Sequence, residues 1–227
     1  MTIKENIALV KKRMEQAARR SGRSKECVEL VAVSKKADIK AALEVLNTDV
    51  FILGESRVQE AKRKFKKIGA AAKWHLVGSL QTNKAKYCPG LFDLIHSVDR
   101  IELFKELDSQ AKKHGTILNV LLQVNVSGEK QKSGCDPNKA EDILKEAALL
   151  QWLTVRGLMT IPPLCPDPEN SRSYYKSLVE LKIGLERSGI EEISLKELSM
   201  GMSNDYEVAI EEGATLVRVG NAIFGNI

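Results

Sequence analysis

Apolar positions along this chain switch between two periods, and the switch recurs at regular intervals. Near the start, Ile3, Ile7, Val10, Met14 and Ala17 recur every three or four residues, the spacing of one helix face. Thr2-Ile3-Lys4-Glu5 precedes them as a capping-box pattern, and Gly22 supplies a stop. The β-branched run from Val28 to Ser34 is too short for a helix and predicts a strand. Asp38 is placed to cap the next helix, whose apolar face carries Ile39, Ala42, Leu43 and Leu46. Asp49 to Gly54 predicts strand two. Ser56-Arg57-Val58-Gln59 then repeats the capping-box pattern before a helix with Val58, Ala61, Phe65 and Ile68 on one side.

The alternation continues. Trp74 to Gly78 and Leu91 to Ser97 predict strands three and four, and Ile101, Phe104, Leu107 and Ala111 mark a helix between Asp99 and Gly115. Strand five covers Leu118 to Val126, and Asp136-Pro137 opens a helix with proline in its first turn. Trp152 to Ile161 predicts strand six, stopped by Pro162-Pro163, and the stretch from Cys165 to Asn170 reads as a loop. A helix spans about Ser171 to Arg187, and strand seven lies around Ile193 to Ser199. A short helix with Val208, Ala209 and Ile210 leads to strand eight, Ala214 to Val219.

Eight strand–helix units in 227 residues give about 28 residues each. The strands are near-continuous apolar runs, as expected where both faces are buried. Right-handed crossovers then leave an open doubly wound sheet or a closed (β/α)8 TIM barrel. Eight repeats, with no linker or composition shift, favour one barrel domain over residues 1–227, preceded by an extra N-terminal helix.

Composition narrows the class. No apolar run approaches the roughly 18 residues of a membrane helix, and Met1 to Asn6 lacks the order of a secretion signal. A hydrophobic fraction of 43% and a net charge of +5 argue against disorder. Cys27, Cys88, Cys135 and Cys165 form no Cys-x-x-Cys, and the three histidines do not cluster, so no metal site is expected. With no signal, the chain reads as reduced and cytoplasmic. Basic runs occur at Lys62-Arg63-Lys64, Lys66-Lys67, Lys84 and Lys86. At 5% aromatics they read as the solvated face of a helix, and no nucleic-acid partner is expected.

A barrel of this kind does its chemistry where strands end and βα loops begin, often with a phosphate at strands seven and eight. Strand one ends Val33-Ser34-Lys35-Lys36. Successive side chains alternate, so Lys35 and Lys36 face opposite ways and only one enters the mouth, where it would offer an amine for imine formation. Two solvated lysines at a loop start are the competing reading. Leu198 to Ser203 and Arg218-Val219-Gly220-Asn221-Ala222 place small residues and helix-start amides where a phosphate could approach. Tight helix–strand packing is the alternative there.

Five segments carry a resemblance: Val31-Ala32-Val33-Ser34-Lys35, Trp74 to Lys84, Arg156-Gly157-Leu158-Met159, Leu198 to Asp205, and Val217 to Gly225. In this order, across nearly the whole chain, they resemble the signature of the pyridoxal phosphate homeostasis protein (YggS-like) family. The resemblance implies a barrel related to the alanine racemase N-terminal domain, with pyridoxal 5'-phosphate (PLP) as cofactor. It implies a Schiff base on Lys35, phosphate contacts from Ser199, Gly220 and Asn221, and Arg218 beside the pyridine nitrogen. The sequence departs from the pattern at three places. Gly54-Glu55-Ser56 replaces Gly-Glu-Asn, Asn221 stands where threonine or serine is usual, and Lys35-Lys36-Ala37-Asp38 displaces a second lysine.

The implied function is a carrier or reservoir in intracellular PLP homeostasis, monomeric, without substantial amino-acid catalysis. Apo forms of PLP-dependent enzymes are its candidate recipients, and no membrane is involved. Arg218 cannot readily give a proton to the ring nitrogen, so the electron sink is weak. The sequence stops at Ile227, leaving no residues for a racemase's second domain. A PLP-dependent racemase of the alanine racemase type is the alternative. It would need a second acid, for which His75 and Tyr87 are the nearby candidates; both read as structural.

Overall fold

The computed structural model describes residues 1–129 and 131–225. Its strands are β1 Glu29–Val33, β2 Ile52–Glu55, β3 Lys73–Leu76, β4 Leu94–Val98, β5 Leu118–Gln123, β6 Leu153–Met159, β7 Glu197–Met202 and β8 Leu216–Val219. All pair in parallel and in chain order, and β1 also pairs with β8, so the sheet closes into a barrel without an edge. Around it run α1 Ile3–Arg20, α2 Ile39–Leu46, α3 Val58–Ile68, α4 Ile101–His114, α5 Ala140–Ala147, α6 Arg172–Arg187, α7 Tyr206–Glu211 and α8 Asn221–Phe224.

The extra N-terminal helix has a structural role. α8 has only four residues, and α1 packs against α2, α7 and α8, taking the place a full eighth outer helix would hold. Asn6 Nδ2 donates to the Ile223 carbonyl at 2.8 Å, and Arg20 pairs with Glu207 and Glu211 of α7. The Thr2–Glu5 capping box forms in both directions, and Asp38 caps α2 through the Ala41 amide at 2.7 Å.

The expected box at Ser56 does not form. Arg57 holds the cap position of α3 with no side-chain bond. The loops after β2 and β3 touch directly here: a Cβ at Gly78 would lie 2.3 Å from the Ser56 carbonyl oxygen.

Alternate side chains divide the interior in two. One core fills the space between barrel and helices; the other fills the barrel with Val31, Ile52, Val77, Leu94, Leu121, Met159 and Leu216. Strand seven departs from expectation, running Glu197–Met202 rather than Ile193–Ser199. Ile193-Ser194-Leu195 alternates like a strand, but it is the irregular approach to β7, with Ile193 and Leu195 packed on the outer core. The lysine-rich helix departs too. Lys62, Arg63, Lys66 and Lys67 are solvated, whereas Lys64 is wholly buried.

Among the described residues no helix is long and apolar enough to cross a membrane, and no group of metal-binding side chains converges. All four cysteines are free, and burial pushes the Cys88 and Cys135 thiols up to about 12.

Candidate functional site at the C-terminal mouth

β1 stops at Val33, and the next four residues form a turn in which the Ala37 amide donates to the Ser34 carbonyl at 2.9 Å. Lys35 and Lys36 are the middle residues of that turn. Strand alternation therefore ends before it reaches them. Both are exposed, and both line a cleft whose other wall is Gly220 and Asn221. Strand alternation, which would put only one lysine at the mouth, does not separate them here: both line the one cleft.

The opposite wall is the end of β8 and the start of α8, backed by the loop that follows β7. A Cβ at Gly220 would sit 3.1 Å from the Val33 carbonyl oxygen, so this glycine lets the β8 end lie close to β1. Ser203 follows β7 directly, and its Oγ accepts from the amides of Gly220 at 3.2 Å and Ala222 at 3.4 Å. Two backbone donors converge on one oxygen, an arrangement that would equally serve an anion's oxygen. Gly201, at φ +88°, brings this strand end against α7; a Cβ there would fall 2.5 Å from that of Ala209.

Ser199 is not at this wall. Because β7 runs on to Met202, Ser199 is a mid-strand residue, wholly buried inside the barrel. Its hydroxyl accepts from Arg218 Nη1 and lies 2.8 Å from His96 Nδ1. His96 Nε2 in turn lies 3.0 Å from His75 Nδ1, and Arg218 Nη2 donates to the Thr160 carbonyl at 2.8 Å. Guanidinium can only donate, and among the described residues His96 is the one acceptor left for the buried hydroxyl proton. The network thus assigns one direction: Arg218 to Ser199, Ser199 to His96, His96 Nε2–H to His75. Ser203, rather than Ser199, is the serine of this motif that the structure brings to the β8 end, four residues further on.

Burial holds both rings neutral. It lowers His75 to about 3, and it lowers His96 well below the usual histidine range, with help from His75 and Arg218. Arg218 is brought down to about 10 by the same desolvation and stays charged at neutral pH. His75 faces a cavity of about 370 Å³ at the N-terminal mouth, the far end of the barrel from the lysine turn. Tyr87 is half-exposed, with the Lys62 and Lys86 ammonium groups 4.7 and 5.2 Å from its ring centre.

A closed barrel of eight parallel strands ringed by helices is the architecture of the alanine racemase N-terminal domain. The family model of that domain matches residues 2–227. Alanine racemase from Clostridium difficile shares this fold, with a TM-score of 0.76 at 15% identity over 100% of this chain and 60% of its own. The chain itself belongs to the pyridoxal phosphate homeostasis protein family. It is 41% identical over 222 residues to the member from Aquifex aeolicus, covering 97% of this chain and 96% of that protein. The Escherichia coli member is 36% identical, with 98% and 96% covered. Among solved structures, PipY of Synechococcus elongatus with PLP bound superposes with a TM-score of 0.83 at 35% identity, covering 94% of this chain and all of that one.

Proposed function

We propose that this protein binds PLP covalently on Lys35 and acts as a carrier or reservoir in cytoplasmic PLP homeostasis, without substantial amino-acid catalysis. One observation carries the reading. The amine-bearing turn after β1 faces, across a single cleft, the β8 end whose amides converge on Ser203. PLP offers an aldehyde for an amine and a phosphate for such donors, so the donor set fits the cofactor at both ends.

Lys35 supplies the amine that forms a C=N bond with the aldehyde carbon, with loss of water. Ser203, Gly220 and Asn221 hold the phosphate, Asn221 with its side-chain amide. Arg218, fixed by Ser199 and Thr160, meets the ring nitrogen as a donor. Ser199 acts behind it. Residues 1–227 work as one domain, as a monomer, passing PLP to apo-enzymes. The names of the relatives and the PLP-bound PipY support the cofactor.

Racemisation needs a proton from the face opposite Lys35. His75 is bonded to His96 toward the far end of the barrel, and Lys36 rises from the same turn as Lys35. Lacking a positioned acid removes about 10²–10⁴ in rate. The test is incubation of PLP-loaded protein with L-alanine in deuterated water, following α-proton exchange and D-alanine. The expected result is neither at an enzyme-like rate. Turnover near about one per second, the low end of ordinary enzymes, would overturn the carrier reading in favour of the racemase.

A further inference from the structure

Lys64 lies within a basic run, yet its side chain has no contact with water. The helix explains how: Lys64 falls three residues after Ala61 and four before Ile68, on the inward stripe of α3. Its Nζ donates to Glu55 Oε1 at 2.6 Å and to the carbonyl oxygen of Ser34. Glu55 is equally buried, pointing outward from β2, and its Oε1 also accepts from Ser34 Oγ at 2.6 Å. The Ser34 amide donates to the Gly54 carbonyl at 2.9 Å. Every polar group of Ser34 is thus engaged, and its carbonyl accepts both Lys64 and the turn-closing Ala37 amide.

That carbonyl belongs to the peptide group joining Ser34 to Lys35. A peptide group is planar and rigid, so fixing its oxygen fixes the plane from which the Lys35 Cα departs. Buried ion pairs are seldom the most stabilising way to fill a core, and apolar side chains of similar volume often serve as well. What an apolar residue could not do here is hold a backbone carbonyl at the boundary between strand and lysine turn. The turn also has something to select, because Lys35 and Lys36 both line the cleft.

We propose that Lys64 is a positioning residue which, with Glu55 as its counter-charge, clamps the Ser34 carbonyl and thereby selects Lys35 over Lys36 as the amine offered to an aldehyde in the cleft. This rests on reading the cleft as the PLP site. The test loads wild-type protein and the Lys64→Met/Glu55→Gln variant with PLP and reduces both with borohydride. The pyridoxyl group on Lys35 and on Lys36 is then quantified by peptide fragmentation.

Wild type should favour Lys35 by about tenfold or more, the scale of one charge-assisted hydrogen bond, and the variant should fall to within about twofold of even. Glu55→Gln alone keeps the side-chain shape and should shift the partition the same way by less, so a double variant that does not fold leaves the question answerable. Circular dichroism establishes that the variants are folded, a property that a purely structural role for Lys64 would alter without moving the partition. Wild type that labels neither lysine overturns the PLP reading. Wild type labelled at Lys35, with folded variants showing the same partition, overturns the clamp alone.

Discussion

Two buried polar networks support the same mouth from opposite sides of the barrel wall, and they meet the cost of burial differently. Inside, His75, His96, Ser199 and Arg218 form a chain of hydrogen bonds in which both rings are neutral and a single guanidinium keeps its charge. Outside, Ser34, Glu55 and Lys64 bury a full carboxylate–ammonium pair between β2 and α3. The inner network keeps its two rings neutral around one charged guanidinium. The outer one keeps its charges and matches them. The first should therefore be sensitive to pH and the second to loss of one partner.

The outer network should give the largest single effect. Lys64→Met leaves the Glu55 carboxylate buried beside an apolar side chain, and Glu55 Oε2 already lacks a partner. Breaking such a pair costs about 3–5 kcal/mol, whereas neutralising both members returns much of the loss. Urea unfolding at neutral pH should show Lys64→Met far less stable than wild type and Lys64→Met/Glu55→Gln intermediate. A double variant as unstable as the single one would mean that charge imbalance is not the cause.

The inner network should appear as acid sensitivity. Above about pH 6.5 the rings are neutral in both folded and unfolded chains, so their contribution to stability is fully present. Below it, the unfolded chain takes up protons that the folded rings refuse, down toward the His75 value of about 3. Each ring then removes up to about 1.4 kcal/mol per pH unit. Urea midpoints should fall steeply between pH 6.5 and 4.5, and His75→Gln should remove about half of that slope. An unchanged slope in that variant would place the acid sensitivity elsewhere.

The same comparison accounts for what the sequence could and could not reveal. Barrel order, the α1 cap and the lysine end of β1 were legible because each rests on local pattern: periodicity, a capping box, an apolar run stopped by charge. The end of β8 at Val219 was legible because its apolar run stops at Gly220. Strand seven was read too early because Ile193-Ser194-Leu195 imitates a strand, so Ser199 lies mid-strand in the barrel interior rather than at the strand's end. Lys64 was hidden by composition. Among neighbouring lysines it looks solvated, although its position on the helical stripe of Ala61 and Ile68 marks it as inward. The two-histidine chain was illegible for another reason, since His75 and His96 meet only when β3 and β4 pair.

The central claim is that an amine at Lys35 and an anion cradle at Ser203 and Gly220 hold the two ends of one ligand. Parallel absorbance titrations with PLP and with unphosphorylated pyridoxal test it most directly. Each charge-assisted hydrogen bond to phosphate contributes about 1.5–3 kcal/mol, so PLP should bind orders of magnitude more tightly, with a visible band that pyridoxal develops only at far higher concentration. Equal affinities, or no visible band with PLP, would contradict the account.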